Sequence, residues 1–241
     1  PIVVVYTVTP TSPTGPCSGA TFTVSVTVNP TPTVDAVTSQ TLCNNATTNA
    51  VTFASTFNVT GTTYAWTNNT TSIGLAASGT GNIAAFKATN TSSAPVTATI
   101  TVTPSANGCD GTPVTFTITV NPTPTVNPVA NQVHCVGSGS TAVTFASTFN
   151  VAGTTYAWTN NQTTIGIGSS GSGTIPSSLL TNSTSSPIIG AFSVTPTANS
   201  CSGPAGTFTI TVNPTPTVTD PANVTLCKGS SSTTIILSGS E

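Results

Sequence analysis

The six cysteines carry the most reactive side chains in this 241-residue chain, and they fall into two regular series. One series is Cys17, Cys109 and Cys201, and the other is Cys43, Cys135 and Cys227, each with a period of 92 residues. No two cysteines form the C-x-x-C pair that is typical of zinc sites and dithiol redox centres. Disulfide formation is therefore the predicted chemistry, and it indicates an oxidising, extracellular location.

Other residues that could do chemistry are scarce, because the chain has only two Lys or Arg, four Asp or Glu and one His. His134 aligns with Leu42 and Leu226, and no carboxylate pair recurs with the repeat. Catalysis needs a base or nucleophile held by partners, and calcium sites need several oxygen ligands. We therefore expect no enzymatic activity, no metal and no cofactor.

The low charge also restricts the classes of partner. Two Lys residues cannot neutralise a phosphate backbone, so a nucleic acid partner is not expected. No apolar run approaches the roughly 20 residues of a membrane-spanning helix. We therefore expect no membrane span in this segment.

An internal repeat organises the whole chain. The sequence Val-Asn-Pro-Thr-Pro-Thr-Val occurs unchanged at 28–34, 120–126 and 212–218. The 92-residue period is close to the usual size of a domain. It predicts two complete repeats, 29–120 and 121–212. They are flanked by the C-terminal part of a repeat (1–28) and the N-terminal part of another (213–241), so we expect the natural protein to continue.

Period-two alternation of apolar residues and Thr predicts antiparallel strands that are buried on one face. Clear examples are 96–102 and 114–120, with shorter strands expected at 35–42, 51–53, 64–66, 73–75 and 83–88. About seven short strands in each repeat, without helical periodicity, indicate an all-β immunoglobulin-like Greek-key sandwich.

The junctions and the aromatic residues complete this picture. Each junction has two prolines, which cannot donate ladder hydrogen bonds and stiffen the link, so a rod-like array is expected. These are Pro30, Pro32, Pro122, Pro124, Pro214 and Pro216.

Tyr64 and Trp66 share one strand face, as do Tyr156 and Trp158. Core packing is the favoured interpretation of these aromatics, over a platform that stacks on carbohydrate.

Several of these motifs resemble a known family. The Asn-Pro-Thr-Pro-Thr-Val junction, Cys43, the Tyr-Ala-Trp-Thr-Asn-Asn sequence at 64–69 and Asn-Gly-Cys at 107–109 are similar to PKD-like, immunoglobulin-like repeats of giant Bacteroidota surface proteins. The Trp-Asp-Phe-Gly-Asp-Gly sequence of better-known PKD domains is absent. The resemblance implies export by the type IX system and display at the cell surface as part of an adhesin or filament.

Three disulfide pairings are compatible with the spacing. Bonds within repeats join Cys43 to Cys109 and Cys135 to Cys201, and bonds across a junction join cysteines 26 residues apart, such as Cys109 and Cys135. A staggered bond joins Cys43 to Cys201, leaving the other four cysteines to repeats outside this segment.

Immunoglobulin-like topology favours the staggered bond. Cys43 comes late in the first strand, whereas Cys109 lies in the loop between the last two strands, at the opposite end of the repeat. A strand of about eight residues spans roughly 26 Å, but disulfide Cα atoms lie within about 7 Å of each other. The within-repeat pairing stays open, because a different first strand would restore it.

Near-identical repeats, stiff junctions and the missing chemistry predict a structural spacer in an extracellular surface adhesin or filament. Its expected partners are neighbouring repeats of the same chain, together with other copies in a bundle, because little charge opposes lateral association. The alternative is a multivalent array that binds glycan or another surface through repeated Thr and Asn faces.

Overall fold

The computed structural model describes residues 1–240. The chain divides into two compact units, residues 1–121 and residues 122 onward. The same succession of strands occurs once in each unit, and we call these two parts the first and the second repeat.

Strands make up nearly all of the regular structure. They are β1 (Ile2–Val8), β2 (Phe22–Val28), β3 (Gln40–Cys43), β4 (Thr63–Asn68), β5 (Ser78–Thr80), β6 (Val96–Ala106), β7 (Cys109–Asp110), β8 (Val114–Asn121), β9 (Gln132–Cys135), β10 (Thr155–Asn160), β11 (Ser170–Ser172), β12 (Ile188–Ala198), β13 (Cys201–Ser202), β14 (Gly206–Asn213), β15 (Thr217–Thr219) and β16 (Ser238–Ser240). Two short 3-10 helices, Thr71–Ile73 and Thr163–Ile165, occupy equivalent positions in the two repeats.

Each repeat is built on one large sheet. In the first repeat the strand order is β3-β8-β6-β4-β5, with β7 added to β6, and the second repeat has the matching order β9-β14-β12-β10-β11, with β13 on β12. All pairings are antiparallel except the first, because β3 runs parallel to β8 and β9 runs parallel to β14. Antiparallel neighbours and a parallel first strand are typical of immunoglobulin-like sandwiches.

The second layer contains little regular strand. The segment near Val51 crosses the sheet and joins the segment near Ile83 by two backbone hydrogen bonds of 2.8 and 2.9 Å. The next ladder position is taken by a side chain, because the Phe53 amide donates to Asn82 Oδ1 at 3.0 Å. The predicted strands at 51–53 and 83–88 are therefore isolated bridges, although the prediction of an all-β sandwich is confirmed.

Two other strand predictions differ from the structure. Residues 73–75 do not form a strand, because Thr71–Ile73 is a 3-10 helix that ends at Gly74, whose φ of 94° lies in the left-handed region. The predicted first strand 35–42 is regular only from Gln40, where its pairing with β8 begins. Residues 35–39 form no continuous ladder, although the Asp35 amide donates to the Ala54 carbonyl at 2.9 Å.

The core lies between the two layers. Alternate residues of β6 and β8 point inwards, and Ile100, Val102, Ile118 and Val120 are fully buried. The outward residues are mainly Thr, whose branched Cβ suits a pleated strand and whose hydroxyl keeps the surface polar without charge. The second repeat buries Phe192, Val194, Ile210 and Val212 at the equivalent positions. This burial is the main favourable term in the stability of each repeat.

Residues 1–28 contain a two-stranded sheet. In this sheet β1 and β2 form an antiparallel hairpin equivalent to β6 and β8, with Ile2 opposite Val28. The apolar side chains of this hairpin are exposed, including Val4 and Phe22. Near the other end of the chain, β15 pairs with β16.

A buried asparagine positions the 3-10 helix against the core. Asn68 is 6% exposed, and its Nδ2 donates to the Leu75 carbonyl at 3.0 Å. Its Oδ1 accepts a hydrogen bond of 3.0 Å from the Thr70 amide. Asn160 makes the equivalent bonds in the second repeat. The loop thereby holds Ile73, which is fully buried, over the sheet.

We predict that Asn68→Ala lowers the free energy of unfolding by about 1–3 kcal/mol, because a buried carbonyl loses its donor. Urea denaturation followed by tryptophan fluorescence measures this change. The matched control is Asn49→Ala, an exposed asparagine in the same repeat, which should change stability by less than about 0.5 kcal/mol. Equal effects of the two substitutions would contradict the assigned role of Asn68.

Candidate functional site: the cysteine-bearing ends of the repeat

The turn between β6 and β8 forms one end of the repeat and carries Cys109. Asn107 and Gly108 have φ values of 52° and 77°, which gives two successive left-handed residues as in a tight hairpin turn. The second repeat has Asn199 and Ser200 there, with φ values of 50° and 62°. Cys109 follows directly and pairs with Ala106, the last residue of β6.

The junction that begins the repeat packs on this same turn. Asn29 Nδ2 donates to the Asn107 carbonyl at 3.0 Å. Gly111 lies so close to the Pro32 carbonyl that a Cβ at this position would overlap its oxygen. Gly203 and Pro124 show the same close approach in the second repeat. We call this end, where the chain begins the repeat and where the turn lies, the N-terminal end.

The opposite end, which we call the C-terminal end, carries the other cysteine series. In the parallel pairing of β3 with β8, Cys43 stands opposite Asn121, the last residue of β8. The next amide, that of Asn44, donates to the Asn121 carbonyl at 2.8 Å. Cys135 stands opposite Asn213 in the same way. One cysteine of each repeat therefore lies where the chain leaves the repeat.

The two cysteines within one repeat are far apart. Cys109 lies level with Ala106, whereas Cys43 lies close to the level of Val96, which pairs with Val120. Ten residues of β6 separate Val96 from Ala106, and at about 3.3 Å per residue this is about 30 Å. Disulfide Cα atoms must approach within about 7 Å. A bond between Cys43 and Cys109 would therefore require the repeat to unfold.

The cysteines are in two oxidation states. Cys43 and Cys201 are disulfide-bonded, whereas Cys17, Cys109, Cys135 and Cys227 are thiols. Three of the thiols are exposed and Cys109 is half-buried. The two oxidised cysteines come from different series, one from the C-terminal end of its repeat and one from the N-terminal end.

The junction prolines differ in burial. Pro32, Pro122 and Pro124 are buried, Pro30 and Pro214 are half-buried and Pro216 is exposed. Val34, at the end of the first junction, belongs to the core cluster of the first repeat. The link is thus part of the domain that it begins, and is not a free linker.

The aromatic residues lie on the inner face of β4 and β10. Trp66 and Trp158 are each 7% exposed and belong to the cores, and Tyr64 and Tyr156 pack against them. The Tyr64 and Phe53 ring centroids are 5.6 Å apart. Gly79 lies against the Trp66 ring, in the neighbouring strand, and leaves no room for a Cβ. These side chains fill the interior and are not presented to a ligand.

A groove beside the first strand recurs in both repeats. It has a volume of about 600 Å³ in the first repeat and about 450 Å³ in the second. Asp35 is the one ionisable residue lining the first groove, and its Oδ1 accepts hydrogen bonds from Thr56. In the second repeat Asn127 makes the same bonds to Thr148. The Asp35 carboxylate therefore serves as a hydrogen-bond acceptor with a structural role, and the Asn127 side-chain amide serves the same role in the second repeat.

Side chains also close this groove at one end. Gln40 Nε2 donates to the Asn49 carbonyl at 3.0 Å, and its Oε1 accepts from the Asn49 amide at 2.9 Å. Gln132 makes the same two bonds to Thr141. His134 lies beside this clamp, with Nε2 2.9 Å from Gln132 Oε1. His134 therefore contacts a side chain that has a structural role. This is what we expect of a residue that is simply tolerated at the end of a strand.

The outer face of the large sheet is rich in threonine. In the first repeat Thr97, Thr99 and Thr101 stand opposite Thr119, Thr117 and Thr115. The Thr97 and Thr119 hydroxyls are 2.9 Å apart. The second repeat keeps the threonines of β14 but has Ile189, Ala191 and Ser193 on β12. The two faces are therefore chemically different, unlike the two cores.

Neither a cluster of metal ligands nor a membrane-spanning helix is found among residues 1–240. Among residues 1–240, no three His, Cys, Asp or Glu side chains are grouped as a metal site would require. None of the described residues belongs to a helix long and apolar enough to span a bilayer.

The sequence reasoning overlooked two groups of structural residues. Gly111 and Gly203 allow the junction to lie against the turn, and Gln40 and Gln132 form the clamps. Their recurrence at the 92-residue period was a usable signal. The local pattern did not identify their contacts, because the glycines meet junction prolines far back in the chain and the glutamines bond to backbone nine residues away.

We predict that Gly203→Ala lowers the free energy of unfolding by about 1–3 kcal/mol, because the backbone carbonyl of Pro124 cannot move aside for a methyl group. Chemical denaturation measures this loss. The control is Gly139→Ala, because a Cβ at Gly139 would meet no atom within 4 Å, and its effect should stay below about 0.5 kcal/mol. A neutral Gly203→Ala would show that the junction does not need this contact.

The chain is similar to several solved structures of extracellular-type repeats only at low identity and low TM-score. The chain resembles Dpr11 IG1 bound to DIP-gamma IG+IG2 at 10% identity, covering 77% of this chain and 99% of that one with a TM-score of 0.36. It resembles Drosophila N-cadherin EC1-4 at 15% identity, covering 82% and 53% with a TM-score of 0.44. Chicken CNTN1 FN1-FN3 matches at 10% identity, covering 87% and 77% with a TM-score of 0.32. These are likenesses in general fold.

No curated protein matches the sequence. The family comparison is more specific, because the PKD-like domain matches three times, at residues 2–32, 40–124 and 132–216. The matches cover most of the chain and recur with the 92-residue period of the cysteines and junctions. The chain therefore belongs to the PKD-like domain family, as a tandem array of its immunoglobulin-like sandwiches.

Proposed function

We propose that this chain is part of a structural spacer in a large extracellular surface protein, and that disulfides staple each repeat to the next. PKD-like and immunoglobulin-like domains are generally extracellular adhesion or structural repeats. The finer assignment to a bacterial adhesin or filament, exported by the type IX system of Bacteroidota, rests on the sequence resemblance alone. The role requires repeats that transmit position and force, with no need for a reactive centre.

The proposed staple is a bond between Cys43 and Cys201. The observation that carries the proposal is the oxidation of these two cysteines, which belong to opposite ends of successive repeats. Chain connectivity supports it, because the C-terminal end of one repeat leads directly into the N-terminal end of the next. In a longer array the equivalent bonds would join Cys109 to the preceding repeat and Cys135 to the following one.

The burial of the junction supports the spacer role. A flexible linker would be exposed and free of contacts, whereas Pro32 is buried and Asn29 is hydrogen-bonded to the turn. Each repeat therefore begins at a fixed point of its own surface. A staple that also connects the turn to the previous repeat would limit bending between domains.

The alternative of a multivalent glycan- or surface-binding array receives less support. Avidity from tandem repeats requires equivalent binding faces. The outer Thr face of the first repeat is replaced in part by Ile189, Ala191 and Ser193 in the second. Retention of the oxidised chain on a glycan array, in proportion to concentration, would favour the alternative over a purely structural role.

Disulfide mapping tests the proposed staple directly. Free thiols are blocked with N-ethylmaleimide, and the chain is digested with pepsin at acidic pH, where few thiolates exist to exchange disulfides. We expect one linked peptide pair containing Cys43 and Cys201, with the other four cysteines blocked. Linked peptides that join Cys43 to Cys109 and Cys135 to Cys201 would overturn the proposal.

We further predict that the double substitution Cys43→Ser and Cys201→Ser lowers the free energy of unfolding by about 2–4 kcal/mol, because the staple restricts the unfolded chain. Thermal or urea denaturation under oxidising conditions measures the loss. The control is Cys17→Ser with Cys227→Ser, which removes two exposed thiols and should leave stability nearly unchanged. Equal stability of both variants would argue against a staple.

A further inference from the structure

The staggered staples would change the route by which tension travels along the array, and this inference rests on the pairing proposed above. We propose that tension is carried only by the 26-residue segments between successive cysteines, such as Cys109 to Cys135, joined end to end by disulfides. The other 65 residues of each 92-residue repeat, such as 44–108, would lie outside the load-bearing route.

The covalent connections define this route. Tension that arrives at Cys43 crosses the disulfide to Cys201 and bypasses the 157 residues between them. It then follows the main chain from Cys201 to Cys227, where the next staple would begin. Each segment with its staple advances two repeats. Two such lines therefore run through the array, offset by one repeat, and the segment from Cys109 to Cys135 belongs to the second line.

The strand directions keep each segment extended. From Cys109 the chain follows β8 from the N-terminal end to the C-terminal end of the first repeat. It then crosses the junction and reaches Cys135 in β9, which runs parallel to β14. Parallel strands run the same way along a repeat, so the segment doubles back in neither repeat. The load-bearing line thus contains extended strand in each repeat.

The bypassed residues contain the parts that unfolding would release. Residues 44–108 include Trp66, the 3-10 helix and all of β6, with the loops that join them. In an array without staples, tension would pass through these residues and a repeat could lengthen by unfolding. With staples they would keep the core of the repeat filled without bearing load. The function added is resistance to extension that does not depend on how stable each domain is.

Force spectroscopy on this chain, held at its two termini, tests the bypass. Full extension of 157 residues at about 3.5 Å each adds about 550 Å. We expect the oxidised chain to be shorter at full extension by this amount than the chain reduced with a phosphine. The phosphine takes the S–S bond to two thiols and becomes the phosphine oxide, and water supplies the oxygen and both protons.

Matched variants identify which disulfide shortens the extended chain. Cys43→Ser with Cys201→Ser should extend fully without reductant, whereas Cys109→Ser with Cys135→Ser should keep the short length. Within-repeat bonds would instead exclude two stretches of 65 residues from the extended length, which shortens it by about 450 Å in total. Those bonds could not form in the second variant. That result would overturn both the pairing and the load-bearing route.

A distance measurement tests the route separately. Cys109 and Cys135 are thiols and accept fluorescent dyes directly, once Cys17 and Cys227 have been replaced by Ser. Two repeats of about 30 Å each predict a separation of about 60 Å or more, against a limit of about 90 Å for 26 extended residues. A shorter separation in a chain whose mapping shows Cys43 bonded to Cys201 would overturn the route and leave the staple standing.

Discussion

The parallel pairing of the first strand with the last strand of each repeat is the constraint on which the rest depends. It brings Cys43 level with the final residue of β8 and so places this cysteine where the chain leaves the domain. The hairpin turn that carries Cys109 is at the other end, because β6 and β8 are antiparallel. Cys43 and Cys109, which the sequence spacing allows to pair within one repeat, are thus about 30 Å apart.

A nearly uncharged chain needs other means of solubility and order. Threonines on the outer face give hydroxyls to solvent, while their methyl groups and branched Cβ atoms suit the pleated strands. In the poorly regular second layer, side-chain amides replace missing ladder bonds, as Gln40 does toward Asn49 and Asn82 toward Phe53. These side-chain contacts satisfy backbone donors and acceptors that the irregular second layer would otherwise leave unpaired.

The junction is best understood as part of the domain that follows it. Pro32 is buried, and Gly111 has no Cβ because the Pro32 carbonyl occupies that space. Two prolines stiffen the link, but the packing against the turn is what gives it one position on the repeat. The residues that form the junction therefore also stabilise the domain.

Alternation and repetition in the sequence determined the β class, the 92-residue unit, the core positions of Trp66 and Ile100, and the two cysteine series, because these depend on spacing alone. Tertiary structure decided what spacing leaves open. The 3-10 helix replaced a predicted strand because Gly74 adopts a left-handed conformation, and the second layer became bridges because side chains took its hydrogen bonds. Strand direction likewise decided which cysteines lie at the same end of a repeat. Equal spacing in the sequence does not show that Cys43 and Cys109 are at opposite ends, because this depends on how the strands pair.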